Sequence, residues 1–399
     1  MLTLDRIYQA AHTLKGVVRV TDLIRSQGIA PDCDLYLKTE NLQTTGSFKV
    51  RGAYFKISTL SLDEKKLGVV ACSAGNHAQG VALSAQRAGI KSTIFIPSVA
   101  PLSKIEATKR MGAQVVLIDG VYDDAYEVAI SYKEKNGGVF IHPFDDIDVI
   151  AGQGTIGLEL LEQLPTLDAV VVPVGGGGLV AGVAFALKML NPSCKVYGVE
   201  ASGADSMQCS INDKRRACIE NLATFADGIA VKTPGVITFE LCEQYVDGIV
   251  TVTDDEIATA ILTLMEQQKL VAEGAGAVAV AGIMFNKLPL EGKKVCAIVS
   301  GGNIDVSILS RVINRGLLTT GRLSELTIEM LDKPGQLKEV STIIADLGAN
   351  VTKVMHDPGG ENTDIIGCYL HITMETRNRA HFLEIKQAIK KAGYLISHR

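Results

Sequence analysis

The chain has 399 residues, with 39 Lys plus Arg, 44 Asp plus Glu and a formal net charge of −5 at pH 7. This length predicts two or three domains, and the acidic balance argues against nucleic acid as a partner, because phosphate contacts need clustered basic charge. Hydrophobic residues make up 47% and charged residues 21%, which is typical of a folded globular protein and excludes disorder. The 39 glycines and absent tryptophan favour an α/β enzyme rich in glycine loops.

Three features indicate a cytoplasmic protein with no membrane partner. The first residues, MLTLDRIYQAAHTL, carry a charge at Asp5 and lack the apolar core of a signal peptide. Residues 169–187 are uncharged and long enough to span a bilayer, but Pro173 and the glycine run after it predict a strand, a glycine loop and a buried helix instead. The 8 cysteines form no CxxC motif, which predicts reduced thiols.

From about Gly68 onward, β-branched runs alternate with helical patterns. Gly89 is the predicted stop of one helix, and Thr253 with Asp254 is the predicted start of another. Apolar strands separated by helices predict a parallel sheet covered on both faces. The predicted strands are LGVVACS, STIFIPS, QVVLIDG, VFIHPF, DAVVVPV, KVYGVE, VDGIVTV and VCAIVS. Each is followed by a helical pattern except KVYGVE and the last.

The sequence changes character near residue 320. The segment RGLLTTGR, residues 315–322, has the polar and glycine content of a linker. Beyond it, the patterns predict β, α, β, β and α, with the first helix running from about Pro334 to Leu347. We therefore expect a large domain over residues 1–322 and a small α+β domain over residues 323–399.

Four glycine- or amide-rich corners follow strands or open helices, where open α/β sheets bind ligands. In the first corner, residues 44–52, Ser47 is the predicted cap of the next helix and Lys49 lies in its first turn. A cation there opposes the helix dipole, which favours the neutral amine and suits Schiff-base chemistry. From position alone, a solvated surface lysine is the commoner alternative. The other corners are residues 73–77, 175–179 and 300–303.

Two of these corners have more than one interpretation. The backbone amides of residues 73–77 predict an anion site, whereas His77 itself is expected to be a structural histidine. Gly176, Gly178 and Ala181 also satisfy G-x-G-x-x-A after a strand, and Glu200 ends the next strand 22 residues beyond Gly178. That pattern is the dinucleotide fingerprint, so an NAD-binding oxidoreductase remains an alternative.

Together, GSFKVRGA, SAGNHAQG, GGGGL and SGGN resemble the fold type II family of pyridoxal-phosphate enzymes, and within it the threonine ammonia-lyases, from Ile7 to about Gly321. The resemblance implies two parallel-sheet-rich lobes, the smaller (about residues 52–150) inserted in the larger. It implies that Lys49 bears the cofactor, pyridoxal 5'-phosphate, and removes the substrate α-proton. Its further implied contacts are Phe48 beside the pyridine ring, Asn76 at the ring 3-hydroxyl, Gly175, Gly176, Gly177, Gly178 and Leu179 around the phosphate, Ser300 at the ring nitrogen, and Ser73, Ala74, Gly75, Asn76 and His77 around the substrate carboxylate.

The resemblance also implies a reaction. A serine facing the ring nitrogen, rather than an aspartate, leaves that nitrogen unprotonated and weakens the electron sink, which favours β-elimination over transamination. L-threonine would give 2-oxobutanoate and ammonia, and L-serine would give pyruvate. Serine ammonia-lyases and serine racemases are the related alternatives. The racemase carries a serine where this chain has Ala74, which cannot transfer a proton, so racemisation is disfavoured.

The sequence does not decide the roles of two acidic residues near the predicted site, Glu200 and Glu273. The racemase binds a divalent cation near the segment that matches Glu200 and Ala204, but Ser206 stands here where a carboxylate is expected. These residues are candidates only, and no metal is assigned. Glu273 matches a position that is often acidic in the family; it is expected either near the cofactor or in a buried pair.

The C-terminal domain resembles an ACT domain through DKPGQL, residues 332–337, and GANV, residues 348–351. The resemblance implies an amino-acid effector, isoleucine or valine, bound near Pro334, Gly335 and Asn350. It also implies a homodimer or homotetramer, because ACT sheets usually pair. A domain used only for oligomerisation, or a catalytically silent amino-acid sensor, is the alternative.

Overall fold

The computed structural model describes residues 1–358 and 365–397, and its backbone divides into two compact units, Met1–Val306 and Ser307–Arg399. The helices are α1 (Leu4–Leu14), α2 (Lys49–Ser58), α3 (Leu62–Leu67), α4 (Asn76–Ala88), α5 (Leu102–Arg110), α6 (Tyr122–Asn136), α7 (Ile147–Gln163), α8 (Gly178–Leu190), α9 (Ser206–Asp213), α10 (Val236–Tyr245), α11 (Asp254–Thr263), α12 (Gly274–Met284), α13 (Val306–Thr319), α14 (Gln336–Asp346) and α15 (Arg379–Lys391). The strands are β1 (Leu23–Arg25), β2 (Asp34–Lys38), β3 (Val69–Cys72), β4 (Ser92–Pro97), β5 (Gln114–Ile118), β6 (Val139–Phe140), β7 (Ala169–Pro173), β8 (Lys195–Ala201), β9 (Gly248–Val252), β10 (Lys294–Ile298), β11 (Leu323–Leu331), β12 (Asn350–Asp357), β13 (Gly367–Glu375) and β14 (Leu395–Ser397).

The larger sheet of the first unit has the order β1-β2-β10-β7-β8-β9. Only β1, at one edge, pairs antiparallel; the other pairings are parallel. All five residues of β7 are buried, which requires cover on both faces of the strand, because successive side chains point to opposite sides. The prediction of a parallel sheet enclosed by helices is therefore confirmed.

The smaller sheet, with the parallel order β5-β4-β3-β6, is formed by chain lying between β2 and β7. Alternate residues of β3 build two cores. Val69 and Ala71 pack with residues of α2 and α4, whereas Val70 and Cys72 pack with residues of α6. The fold class is thus the expected one of two parallel-sheet lobes.

Local sequence signals set several element ends. Gly89 adopts a left-handed conformation (φ 68°) at the end of α4, and Thr253 forms a capping box with Glu256 at the start of α11, as predicted. The uncharged segment 169–187 forms β7, the glycine loop and most of α8. Across the described residues, we find no helix whose length and apolar character would let it cross a membrane.

The second unit is an antiparallel sheet of order β12-β13-β11-β14, and its core joins Ile328, Leu370, Val340 of α14 and Ile385 of α15. The predicted β, α, β, β, α order is present, but β14 was not anticipated. The predicted linker at 315–322 is also wrong, because α13 continues to Thr319. Its apolar residues keep a helical spacing, and one glycine, costing about 1 kcal/mol, does not end such a helix.

Candidate active site

The first and fourth corners meet through backbone contacts. Ser47 forms an isolated antiparallel bridge with Gly301, and the N–H of Phe48 donates to the carbonyl oxygen of Ser300 at 3.1 Å. Ser300 lies two residues beyond β10, and α2 begins at Lys49. The bridge therefore fixes the start of α2, and with it Lys49, against the end of the central strand.

The prediction that Ser47 caps α2 is wrong. The residue at the cap position is Phe48, and no side chain accepts a hydrogen bond there. The Ser47 hydroxyl is buried and has no hydrogen-bond partner in the described part of the chain, because the bridge with Gly301 directs it into the interior. Lys49 still lies in the first turn of α2, as predicted.

The Lys49 amine lies in an environment that favours its neutral form. Its Nζ donates to the carbonyl oxygen of Pro143 at 2.8 Å and lies 5.3 Å from the centre of the Phe48 ring. Burial lowers the pKa of Lys49 to about 8, although the nearby Glu273 carboxylate opposes this shift. The shift has the predicted direction, but its main cause is loss of solvation rather than the helix dipole.

The second corner joins β3 to α4 and presents free helix N–H groups. Gly75 is the cap residue of α4, and no side chain caps the helix there; residues 73–76 are only partly buried. His77 is buried, its Nε2 lies 2.8 Å from the carbonyl oxygen of Ile141, and burial lowers its pKa to about 3. The imidazole is therefore neutral and structural, and the anion site expected here would rest on backbone N–H groups.

Asn76 connects the second corner to the fourth. Its Nδ2 donates to the Glu273 carboxylate, and its Oδ1 accepts from Asn303 Nδ2 at 2.7 Å. Burial, with a contribution from Asp227, raises the pKa of Glu273 to about 7, while the bond from Asn76 and nearby Lys49 lower it. Glu273 is thus buried and hydrogen-bonded to Asn76, whereas its expected place near the cofactor stays a prediction.

The third corner, residues 175–179 at the start of α8, has no room for side chains at its glycines. Gly177 has a left-handed backbone (φ 93°) and caps α8 without a side-chain bond. A β-carbon at Gly176 would lie 2.4 Å from the Phe144 ring, and one at Gly178 would lie 2.9 Å from Phe144 Cβ. The loop therefore approaches its neighbours as bare backbone, which leaves the first N–H groups of α8 for an anion such as phosphate.

The segment from His142 to Asp145 is a part of the site that our sequence reasoning missed. Pro143 bonds Lys49, and Phe144 lies against the glycine loop. The Asp145 carboxylate accepts hydrogen bonds from the first N–H groups of α10, which anchors the segment. Its signal in the sequence was the polar and aromatic run HPFDD, whose first three residues were assigned to the predicted strand VFIHPF, whereas the observed strand β6 ends at Phe140.

A buried charge cluster beneath α2 was also missed. Arg51 makes two 2.8 Å hydrogen bonds to Glu40 and two, of 2.6 and 3.0 Å, to Glu159, which also pairs with Lys38 at 2.6 Å. Two cations face two carboxylates, so the cluster is charge-balanced. Since Arg51 follows Lys49 by two residues, the cluster fixes the turn that carries the amine.

Two further predicted residues use their polar groups inside the protein. The Ser300 hydroxyl is buried and donates to the carbonyl oxygen of Ala275 at 3.2 Å. The Glu200 carboxylate accepts from the N–H groups of Met207 and Gln208 at 2.9 and 2.8 Å, and burial raises its pKa to about 8. Both carboxyl oxygens of Glu200 are thus used to cap the start of α9, rather than left to bind a ribose, and Ala204 is buried.

The predicted effector residues do not all lie together. Pro334 and Gly335 line a cavity of about 370 Å³ between the sheet and the start of α14. Asn350 lies at the other end of the sheet, where its Nδ2 donates to Glu375 at 2.9 Å. Within one chain, Asn350 therefore does not contribute to that cavity.

Comparison with known families agrees with this arrangement. The model of the pyridoxal-phosphate dependent enzymes matches residues 14–301, and the ACT domain model matches residues 324–393. The chain therefore belongs to the pyridoxal-phosphate dependent enzyme family and carries an ACT domain after the catalytic part. The match disfavours the dinucleotide interpretation of the glycine loop.

Individual relatives indicate which enzymes of this family the chain is similar to. The chain is 52% identical over 396 residues to the L-threonine ammonia-lyase of Thermotoga maritima, covering 99% of this chain and 98% of that protein. Its fold matches threonine deaminase isoform 2 of Solanum lycopersicum (TM-score 0.74, 40% identity, 78% of this chain and 88% of that one). It also matches maize serine racemase (TM-score 0.75, 35% identity, 79% and 98%).

The residues present fit pyridoxal phosphate. The bare glycine loop at the uncapped start of α8 suits a phosphate group, and the buried Lys49 amine suits a covalent bond to an aldehyde. The Phe48 ring lies beside that amine, and the Phe48 N–H donates to the carbonyl oxygen of Ser300. Asn76 is linked by a hydrogen bond to Asn303 of the fourth corner.

Proposed function

We propose that this protein is a threonine ammonia-lyase, which converts L-threonine to 2-oxobutanoate and ammonia. The observation that carries the proposal is the buried Lys49 amine, whose pKa is lowered and whose hydrogen-bond partner, Pro143, directly precedes the Phe144 that lies against the bare glycine loop. The near full-length similarity to the Thermotoga protein of that name supports the choice of substrate.

In this proposal, the four corners hold the cofactor. Lys49 would bond it covalently, residues 175–179 would bind its phosphate, Asn76 would serve its hydroxyl group, and Phe48 and Ser300 would border its ring. When bound, the cofactor supplies an electron sink for negative charge at the substrate Cα.

The protein's own groups then handle protons and position. The substrate amine would first displace Lys49, and the freed, neutral Lys49 amine would then take the α-proton. The carbonyl oxygen of Pro143, 2.8 Å from Nζ, would accept a hydrogen bond from the ammonium that results. The corner of residues 73–77 binds the substrate carboxylate through backbone N–H groups other than that of Ser73, which donates to the carbonyl oxygen of Phe95 at 3.2 Å. Ala74 offers no acid on the opposite face, so a proton is not returned there, which favours elimination over racemisation.

The products follow from the bonds broken. The substrate loses its α-proton and its β-hydroxyl group, which together leave as water. The resulting enamine then takes up water and releases ammonia to give the 2-oxo acid. L-serine, which lacks the γ-methyl group, would give pyruvate in the same way, and we propose it as a side substrate.

Lys49→Ala tests this function. The purified parent protein is expected to show a visible cofactor band that borohydride bleaches, and to release 2-oxobutanoate from threonine. Lys49→Ala should lose both, whereas Lys109→Ala, at an exposed helix position, should keep both. A variant at Lys49 with full turnover would refute the proposal. Faster release of pyruvate from serine than of 2-oxobutanoate from threonine, or D-serine formation by the parent, would favour the related alternatives.

We further propose that isoleucine or valine regulates the enzyme through the ACT domain, in a cytoplasmic homodimer or homotetramer. We place the functional boundary near residue 322, with the small lobe at about residues 52–150. Titration of both amino acids against activity, in the full chain and in a chain ending at Leu323, tests the regulation. An unchanged response after truncation would refute it, and light scattering of the full chain tests the assembly.

A further inference from the structure

Three side chains with metal-binding atoms meet at one end of the ACT sheet. They are Asp332, just after β11, His356 on β12 and Cys368 on β13; one ligand atom from each lies within 4.8 Å of the other two. Their residue types, a carboxylate, an imidazole and a thiol, are those that bind zinc in proteins.

The strand register places the three residues on the same side of the sheet. His356 pairs with Leu370, and Cys368 lies two residues before Leu370, so both share its face. Cys368 pairs in turn with Met330, and Asp332 lies two residues beyond Met330. The backbone pairing thus supports the cluster independently of the side-chain positions.

The spacing of two of the groups already suits a shared ion. His356 Nε2 lies 3.3 Å from Asp332 Oδ1. In a tetrahedral zinc site with bonds of about 2.0–2.2 Å, nitrogen and oxygen ligands lie about 3.3–3.5 Å apart. Cys368 is 1% exposed but lines the cavity with the other two, so an ion could reach its sulfur from the cavity side.

We propose that Asp332, His356 and Cys368 form a binding site for a divalent transition-metal ion of the zinc class. Three protein ligands leave a fourth position open, as in zinc sites that bind water or a small molecule. That position faces the cavity of about 370 Å³ at the start of α14, where no side chain caps the helix. A ligand bearing a carboxylate or an amine would fit there, since either group bonds such an ion.

Cobalt is the probe for this site. The full-length holoenzyme, without an affinity tag, is titrated with Co²⁺, whose tetrahedral d–d bands lie at longer wavelengths than the cofactor band. We expect saturation at one ion per chain, displacement by Zn²⁺ and no displacement by excess Mg²⁺, because a thiolate and an imidazole disfavour hard cations. Absence of saturable binding, or displacement by Mg²⁺, would overturn the proposal.

Matched variants assign the ligands. Cys368→Ser and His356→Ala should each weaken Co²⁺ binding at least about 100-fold, since loss of supporting contacts alone costs 10–100-fold. Cys218→Ser, at an exposed free cysteine, should bind as the parent does. Since Cys368 lies in the core, Asp332→Asn, at an exposed position, provides a test that does not disturb packing. Parent-like binding by Asp332→Asn and His356→Ala would refute the site. Because the readout is metal binding, its failure would leave the proposed lyase activity unaffected.

Discussion

The Nζ of Lys49 donates a 2.8 Å hydrogen bond to the carbonyl oxygen of Pro143, so the amine at the start of α2 is held by a residue that follows β6. The next residue, Phe144, lies against the glycine loop. One short segment therefore contacts both the amine and the loop on which the cofactor phosphate is proposed to bind.

Cofactor incorporation should depend on pH through Lys49. Only the neutral amine attacks an aldehyde, and burial lowers the pKa of Lys49 from 10.5 to about 8. The rate at which the cofactor-free protein gains its visible band should therefore rise with pH and level off above about pH 8. Because the Glu273 carboxylate raises this pKa, Glu273→Gln should move the midpoint to lower pH. A midpoint that stays near 10.5 would contradict this account.

Removal of Arg51 should destabilise the catalytic unit. Arg51→Met leaves the buried Glu40 carboxylate without its main partner, which costs about 3–5 kcal/mol of unfolding free energy. Urea unfolding measures this loss, and Arg110→Met, at an exposed position, should change the same free energy by less than about 0.5 kcal/mol.

The loss of unfolding free energy in Arg51→Met should also depend on pH. Burial alone would raise the pKa of Glu40, but Arg51 lowers it below its ordinary value of 4.5. A lowered carboxyl pKa stabilises the fold above the unfolded-state pKa, and this contribution is lost as the pH falls through the folded-state pKa. Without Arg51, burial raises the pKa of Glu40, so the difference between parent and variant should begin to shrink above pH 4.5 and go on shrinking as the pH falls through the lowered pKa of the parent. A constant difference down to acid unfolding would show that packing, rather than charge, causes it.

A methyl group in the glycine loop should weaken cofactor binding. In Gly176→Ala the new carbon would lie 2.4 Å from the Phe144 ring, so either the loop or the ring must move. We expect at least a tenfold weaker affinity for pyridoxal phosphate, measured by fluorescence titration of the cofactor-free protein, and partial recovery in the double variant with Phe144→Ala. Gly248→Ala, where the nearest atom would be 3.7 Å away, is the control. If the parent and all variants bind pyridoxal phosphate with equal affinity, the glycine loop has room for a methyl group and this account is wrong.

A hydroxyl group at residue 74 should restore a second proton donor. Ala74 is partly exposed in the corner between β3 and α4, and Ala74→Ser would place an acid where the chain has none. We expect D-serine to form from L-serine, detected by chiral chromatography, with slower release of pyruvate. Ala74→Gly, which adds no hydroxyl group, should form none. If Ala74→Ser also forms none, the proton must come from another group.

Local patterns predicted much of the fold and the site. The alternation of apolar strands and helices needs only neighbouring residues to be recognised, and so do Gly89, the Thr253 cap and the glycine run. Contacts between distant residues could not be read in this way. Ser47 fits a helix cap in its local sequence, yet its backbone bridge to Gly301 turns it inward. Phe144 carries no local signal of its contact with the glycine loop.

The second unit shows the same limit. Pro334 and Gly335 lie at a cavity because the turn before α14 determines their place. The position of Asn350 depends instead on the end of the sheet at which β12 begins. The polar content of residues 315–322 resembled a linker, but the apolar residues among them continue α13. In each case, the spacing of residues along the chain predicted structure within one helix, strand or turn, but not contacts between such elements.

The position of β10 between β2 and β7 has a consequence for synthesis on the ribosome. β2 ends at Lys38 and its parallel partner β10 begins at Lys294, so about 250 residues are made between them, which takes about 12–50 s at 5–20 residues per second. The strands of the smaller sheet, by contrast, are contiguous and emerge early. The nascent chain thus carries β2 without this neighbour while about 250 residues are made, and β7 without it while about 120 are made, and chaperones that shield apolar strands would act in that interval.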